Sequence, residues 1–210
     1  MAAGGPYDRL IATFSVTQIP PAWVEQTRPG GRLVVPLHRD IWAGGLATLD
    51  VDPGGQAAHG RLAGEAWFMP ARGQRLPGTA VDSATGRAST TALSAARIVA
   101  PGFGAFAHAR LPHITMVRAA EGCGWRVWLT GRDGSAATAW GDDEDGQEFQ
   151  VWQYGPADLW RQVETAWQEY TALGAPDAGA FGLTATRDGR QWIWLGEPGL
   201  TVGRPASETA

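Results

Sequence analysis

The chain contains 210 residues, of which 44% are hydrophobic and 18% charged, proportions that are typical of globular domains and argue against a disordered chain. Its formal net charge of −4 argues against nucleic-acid binding, which requires a basic face. The single cysteine excludes an internal disulfide. Because there is neither a signal-peptide pattern nor a run of ~20 apolar residues, we expect a cytoplasmic protein without a membrane partner.

The first elements predict a strand–helix–strand crossover. Residues 9–14 (RLIATF) form a short apolar run, which favours a strand covered on both faces in a parallel sheet. Pro20 and Pro21 open a short helix, PAWVEQT, in whose first turn the missing proline N–H is tolerated. The sequence Arg-Pro-Gly-Gly at residues 28–31 ends that helix, and residues 32–37 (RLVVPL) are the next strand. A crossover of this kind builds a parallel sheet.

An antiparallel hairpin is predicted next. Residues 46–51 and 57–70 are its strands, and Asp-Pro-Gly-Gly at residues 52–55 is its turn. Residues 71–88 are poor in apolar side chains and rich in Gly, Pro, Ser and Thr. This composition predicts a linker or an exposed loop.

The second half predicts antiparallel strands and one amphipathic helix. The strands are separated by glycine-containing turns and are residues 113–119, 125–131, 135–140 and 149–155. The helix, residues 157–173, repeats its apolar positions at three- and four-residue steps, with Pro156 before its first turn and Gly174 after its last. A hairpin of residues 181–187 and 191–195 follows, and the tail from Gly196 is expected to fray.

Residues 5–37, GPYDRLIATFSVTQIPPAWVEQTRPGGRLVVPL, resemble SAM-dependent methyltransferases of the protein-L-isoaspartate carboxyl type, in the part that runs from the fourth to the fifth strand. The resemblance implies that the end of the strand borders the methionine side of S-adenosylmethionine, at Ala12, Thr13, Phe14 and Ser15. It also implies that the loop that follows approaches the substrate, at Val16, Thr17, Gln18 and Ile19. Ligands of open α/β sheets do bind at the carboxyl ends of strands.

The second half resembles the C-terminal extension of actinobacterial relatives, in the segments DGSAATAW, FQVWQYGPADLWRQVETAWQEY and FGLTATRDGRQWIWL. Some of those relatives are encoded beside ribosomally made, modified peptides. The resemblance implies methyl esterification of an aspartyl or isoaspartyl carboxylate in a protein or peptide partner.

The resulting fold class is α/β plus α+β, in four parts. We expect the C-terminal half of a Rossmann-like methyltransferase sheet (strands four to seven), a linker or exposed loop, a tryptophan-rich α+β domain with one helix, and a disordered tail, at residues 1–70, 71–88, 89–197 and 198–210.

The chain departs from this family at the cofactor site. The family begins that site with a glycine-rich turn after its first strand and an acidic residue on its second, and neither has a counterpart here. We therefore expect a fragment or split member that is inactive alone. It would bind S-adenosylmethionine only where a separate N-terminal methyltransferase half is supplied. No metal cofactor is expected, because the four histidines and one cysteine lack the spacing of a metal site.

Two other interpretations stay open. The chain is either a non-catalytic module whose tryptophan-rich domain recognises a peptide or partner, or a protein whose start codon is wrongly assigned. Simpler roles also stand beside the proposed ones: Thr13 and Ser15 cap a strand end, Trp160 and Trp167 belong to the core, and the acidic run at residues 142–145 is a solvated turn. Catalytic residues are not identified.

Overall fold

The computed structural model describes residues 5–39, 41–74, 86–142 and 147–202. The chain divides into two compact units. The first consists of Met1–Arg39, Ala43–Arg75 and Asp177–Ala210, and the second of Asp40–Trp42 and Leu76–Pro176.

The described residues form four α-helices and twelve strands. The helices are α1 (Pro21–Glu25), α2 (Ala95–Ile98), α3 (Pro101–Arg110) and α4 (Leu159–Ala172). The strands are β1 (Tyr7–Ile11), β2 (Thr27–Arg39), β3 (Trp42–Val51), β4 (Ala57–Glu65), β5 (Arg87–Thr91), β6 (Ile114–Glu121), β7 (Gly124–Gly131), β8 (Ala136–Gly141), β9 (Phe149–Tyr154), β10 (Phe181–Thr186), β11 (Gln191–Leu195) and β12 (Thr201–Val202). No helix in these ranges is long and apolar enough to span a membrane.

The first sheet has the strand order β1-β2-β3-β4-β10-β11-β12. β1 and β2 pair in parallel and are joined through α1, which confirms the predicted strand–helix–strand crossover. The predicted hairpin is also confirmed, since β3 and β4 pair antiparallel. Its turn is fixed by the Asp52 carboxylate, which accepts hydrogen bonds from the backbone N–H groups of Gln56 and Ala57 at 2.9 and 3.2 Å.

The first strand differs from its prediction in place and in burial. It spans Tyr7–Ile11 instead of residues 9–14, and it lies at the edge of the sheet rather than inside it. Tyr7 is 39% exposed and Ile11 is 70% exposed. An apolar run therefore does not mean a covered strand here, because only one side of β1 has a neighbouring strand among the described residues.

The Pro-Gly-Gly sequence does not end the helix as predicted. β2 already begins at Thr27, and its pairing register against β1 shifts between the Tyr7↔Thr27 and Arg9↔Arg32 pairs. Gly30 takes a φ of +71°, which most residues with a side chain avoid. Residues 28–31 therefore form an irregular bulge inside the strand, with Gly30 in the left-handed conformation.

The second sheet is antiparallel, with the order β5-β9-β8-β7-β6. The four predicted strands and the helix after them are confirmed as β6 to β9 and α4. Asp158 caps the helix by accepting the N–H of Arg161, and Gly174 follows its end with a φ of +85°. Trp160 is only 2% exposed, as expected for the core stripe.

α2, α3 and β5 were not predicted. Every residue of α3 from Gly102 to His108 is buried, so the helix shows no polar face and its period cannot be seen in the sequence. A Cβ on Gly104 would lie 2.3 Å from a ring carbon of Trp42, so this glycine is required by packing. Two glycines in ten residues otherwise argue against a helix.

The predicted C-terminal domain at residues 89–197 differs from the second unit. The hairpin β10–β11 forms as predicted, but β10 pairs with β4 and so belongs to the first sheet. The sequence pattern of a hairpin does not encode the sheet edge that it joins, because that pairing involves residues far away in the chain.

The prediction of a disordered tail at residues 198–210 is wrong for its first part, since β12 pairs with β11. Residues 203–210, most of the predicted linker (residues 75–85) and residues 143–145 of the acidic run lie outside the described residues.

Candidate functional site at the end of the first strand

The segment after β1 keeps following β2. The N–H groups of Ala12 and Val16 donate to the carbonyls of Val34 and Pro36, both at 3.0 Å. Ala12 and Val16 are 6% and 1% exposed. Because β1 and β2 are parallel, their carboxyl ends lie at the same end of the sheet. The predicted site residues lie at that end.

Only two of the four predicted cofactor-side residues present their side chains to solvent. Thr13 and Phe14 are exposed, and the Phe14 ring packs edge-on against Trp23 with the ring centroids 5.8 Å apart. Ala12 is buried. Thr13 and Phe14 are therefore the side chains that a ligand at this edge would meet first.

Ser15 is 2% exposed and joins the strand end to the segment after β4. Its hydroxyl donates to the carbonyl of Phe68 at 2.9 Å, and its N–H donates to the carbonyl of Met69 at 3.0 Å. Its own carbonyl accepts the N–H of Ala71 at 2.9 Å. The simpler role, a cap at the end of a strand, accounts for all of these contacts.

Two glutamine side chains hold the predicted substrate-side loop. The Gln74 amide oxygen accepts the N–H groups of Thr17 and Gln18 at 2.7 and 3.1 Å, and its NH₂ group donates to the Gln18 carbonyl at 2.9 Å. Gln191 does the same at the next residue: its oxygen accepts the Ile19 N–H at 3.0 Å, and its NH₂ group donates to the Ile19 carbonyl.

These contacts fix the loop from two distant parts of the chain. Gln74 lies in a short 3₁₀ turn at Arg72–Gln74, and Gln191, 7% exposed, begins β11. Sequence reasoning missed both, because nothing local to either glutamine marks a partner in residues 17–19. The backbone of this loop is thus fixed before any ligand binds, a property of binding sites that need defined geometry.

An exposed apolar rim borders the strand end. Ile11, Phe14, Phe68 and Met69 are 70%, 41%, 43% and 79% exposed. Phe68 and Met69 are connected to Ser15 through the backbone bonds described above. Apolar side chains gathered at an unpaired strand edge are typical of a surface that another segment covers.

The carboxyl groups with lowered pKa values reflect ion pairs and turns rather than an acid–base site. The Arg32 guanidinium binds Asp50 through two hydrogen bonds at 2.7 and 2.9 Å and lowers the pKa of that carboxyl. In the second unit, the hydrogen bond from Arg110 lowers the pKa of Glu169 in the same way. Neither carboxyl lies in residues 12–19. No group of three or more metal-ligating side chains is present in the described ranges.

A family model matches the part of the chain that contains this site. Residues 1–50 match the family model described as Protein-L-isoaspartate(D-aspartate) O-methyltransferase (PCMT). The Protein-L-isoaspartate O-methyltransferase 1 of Nitrosospira multiformis is 31% identical over 68 residues, which are 32% of this chain and 28% of that protein. The Protein-L-isoaspartate O-methyltransferase of Methylibium petroleiphilum is 41% identical over 51 residues, or 24% and 19% of the two chains.

A solved protein-L-isoaspartate O-methyltransferase aligns with 92% of this chain and 55% of its own, at 15% identity and a TM-score of 0.41. This chain spans less than a third of the length of each of the two curated relatives named above. The similarity to this methyltransferase family, first seen in residues 5–37, is confirmed for the N-terminal part of the chain.

Proposed function

We infer that this chain carries one wall of a SAM-dependent carboxyl O-methyltransferase site, and that the enzyme esterifies aspartyl or isoaspartyl carboxylates in proteins or peptides. Thr13 and Phe14 border the methionine end of S-adenosylmethionine. In the loop from Val16 to Ile19, Thr17 and Gln18 face the substrate, while the buried Val16 and Ile19 anchor the loop. The remaining wall, which carries a glycine-rich turn, comes from a further polypeptide segment that adds to β1.

One observation carries this proposal. In the part of the chain that matches the family, β1 pairs in parallel with β2 on one side, while its other side is the outer edge of the sheet with Ile11 exposed. β1 exposes Tyr7 and Ile11 beside the charged Asp8 and Arg9, although parallel strands are normally covered on both faces. A segment that adds to β1 would cover this edge.

The described residues fit only part of the cofactor. Thr13 and Phe14 offer one hydroxyl and one ring, while the Ser15 hydroxyl already donates to Phe68. Holding the adenosine and its ribose requires backbone donors and a carboxylate that residues 12–19 do not supply. The 210 residues alone are therefore expected neither to bind the cofactor nor to transfer a methyl group.

The reaction would need positioning more than acid–base help from this chain. A carboxylate is already an anion at neutral pH, so the protein has to orient it toward the methyl group. When bound, S-adenosylmethionine supplies the electrophilic methyl group. The contribution of this chain is a rigid loop, since the bonds from Gln74 and Gln191 fix the backbone of Thr17, Gln18 and Ile19.

Calorimetric titration tests the proposal. S-adenosylmethionine should give no binding heat with the chain alone. Binding should appear when the chain is co-expressed with the part of the Nitrosospira multiformis relative that lies outside its aligned segment, and an isoaspartyl peptide should then be methylated. Micromolar binding to the chain alone would contradict the proposed dependence on a second segment.

Two variants test whether Thr13 belongs to the cofactor site when the second segment is supplied. Thr13→Val should weaken cofactor binding by about tenfold, the loss of one good hydrogen bond. Thr171→Val, at an exposed position of α4, should leave it unchanged. Equal behaviour of the two variants would remove Thr13 from the site.

A second candidate function is a non-catalytic peptide- or partner-binding module. It is favoured by the outer face of the second sheet, where Trp128 and Trp152 are 40% and 46% exposed. Both lie opposite Thr138 on β8, so the two rings share one face of the sheet. Absence of cofactor binding in the completed protein, with peptide binding retained, would favour this function over the first.

A further inference from the structure

The second unit contains an open polar groove beside the edge of its sheet. Its volume of about 420 Å³ lies within the usual range for ligand sites. β5 and β9 contribute one side, and α4 with its capping residue contributes the other. The lining residues that bear on its chemistry are Ser89, Thr90, Asp158, Trp160, Arg161 and Glu164.

In the described part of the chain, β5 offers a free edge next to this groove. It is the outermost strand of the sheet in the described residues, and its ladder runs along β9 alone. In an antiparallel pair, alternate N–H and C=O groups of the outer strand point away from its partner. Four of its five residues are exposed. Edges of this kind accept an extended peptide as an additional strand.

The charges of the groove indicate which peptide would fit. The groove is lined by two carboxylates, Asp158 and Glu164, and by one guanidinium, Arg161. Asp158 uses one oxygen to accept the N–H of Arg161, and Glu164 uses one to accept the hydroxyl of Thr91. The second oxygen of each carboxylate can accept another donor. The excess of negative charge complements a lysine or arginine side chain.

Trp160 is a core residue that borders the groove. It is 2% exposed, and its backbone N–H donates to the amide oxygen of Gln153 at 3.1 Å. The polar chemistry of the groove therefore comes from the surrounding residues that reach the surface.

We propose that β5 binds an extended peptide as a sixth strand, and that a basic side chain of this peptide enters the groove between Asp158 and Glu164. The site lies wholly in the second unit and does not depend on the cofactor wall described above. It needs no segment added to β1.

Fluorescence anisotropy with the full chain tests this proposal. The probes are two labelled nine-residue peptides of alternating threonine and valine, one with a central lysine and the other with a central glutamate. At low salt the lysine peptide should bind at least about tenfold more tightly, and salt should reduce the difference. Equal affinity of the two peptides, or no saturable binding of the lysine peptide, would overturn the proposal.

N-methylated peptides test whether the peptide adds as a strand. Only alternate amides of an added strand face β5. Methylation of one alternate set should therefore abolish binding, while methylation of the other set should leave the affinity within about threefold. If both sets are tolerated, or if both abolish binding, strand addition is wrong.

A charge-removal variant tests the groove. Glu164→Gln keeps an oxygen for the Thr91 hydroxyl but removes the charge, and it should reduce the preference for lysine about fivefold. Glu197→Gln removes the same charge from an exposed position in the first unit and should change nothing. An unchanged lysine preference in Glu164→Gln would contradict the assigned role. If that variant fails to fold, the comparison of the two peptides on the unaltered chain still decides.

Discussion

The two sheets end in edge strands that differ in what they expose. β1, at the edge of the first sheet, carries the exposed charged residues Asp8 and Arg9 together with Tyr7 and Ile11, whose surfaces are 39% and 70% exposed. β5, at the edge of the second, carries Arg87, Ser89 and Thr90 at exposed positions. Both are five residues long and pair on one side only in the described part of the chain.

This difference indicates two kinds of partner. Apolar side chains on an edge strand gain free energy when they are covered permanently. An edge with polar side chains is stable in water and suits a ligand that binds reversibly. The first edge continues into the loop that Gln74 and Gln191 hold, and the second borders the groove beside α4. The following predictions test this contrast, beginning with the largest expected effect.

Self-association should depend on β1 and not on β5. Ile11→Lys places a charge on the apolar edge and should weaken self-association by about tenfold, because an unpaired apolar strand edge invites pairing with another copy. Ser89→Lys is the matched change on β5 and should have little effect. Sedimentation velocity over a range of concentrations measures both. A larger effect of the β5 variant would reverse the comparison.

Loss of Gln191 should destabilise the region beside β1. Gln191→Ala removes both bonds to the buried backbone of Ile19, so we expect a loss of about 2 kcal/mol in the free energy of unfolding. Gln150→Ala, at an exposed position of β9, should cost less than about 0.5 kcal/mol. Urea unfolding gives both values, and equal losses would mean that the amide pair does not stabilise the loop.

The bulge in β2, where the strand pairs with β1, should favour glycine at position 30. Gly30→Ala forces a left-handed conformation on alanine and should cost about 1 kcal/mol. No atom of the described residues lies within 4 Å of the added Cβ, so the loss would come from backbone conformation. Gly73→Ala has the same open space without a positive φ and should be close to neutral in thermal unfolding. A neutral Gly30→Ala would show that the bulge relaxes.

The second unit should lose a small contribution in acid. Arg110 lowers the pKa of Glu169, so the folded protein binds that proton less readily than the unfolded chain. The pair therefore stabilises the fold above the ordinary glutamate pKa of 4.5, and this stability is lost as the pH falls below it. Both side chains are more than a third exposed, so we expect a few tenths of a kcal/mol.

Unfolding at pH 6 and pH 3 should therefore show a smaller acid effect in Glu169→Gln than in the unaltered chain. A variant that loses as much stability in acid as the unaltered chain would show that this pair contributes nothing to the pH dependence.

The local elements could be predicted from the sequence because their signals are local. Asp158 and Gly174 mark the ends of α4, and the turn residues mark the hairpins. α3 could not be predicted, because it is buried on all sides and shows no polar face. The pairing of β10 with β4 could not be predicted either, since it joins residues more than a hundred positions apart.

The candidate site shows the same division. The position of residues 12–19 at the end of a parallel strand follows from the crossover pattern and from the resemblance of residues 5–37 to a known family. The role of Gln74 and Gln191 does not, because an amide side chain carries no sign of its distant partner. The exposure of β1 could not be predicted either, since the apolar run of residues 9–14 is typical of a covered strand.

Hydrogen–deuterium exchange of the β1 amides tests the central claim most directly. The amides should be measured in the chain alone and in the chain co-expressed with the complementary part of a relative, with β5 as the internal reference. We expect the β1 amides that face away from β2 to exchange rapidly in the chain alone and to gain at least about tenfold protection in the complex, while β5 is unchanged. Protection of β1 that is the same in both samples, or a gain at β5 instead, would contradict the account.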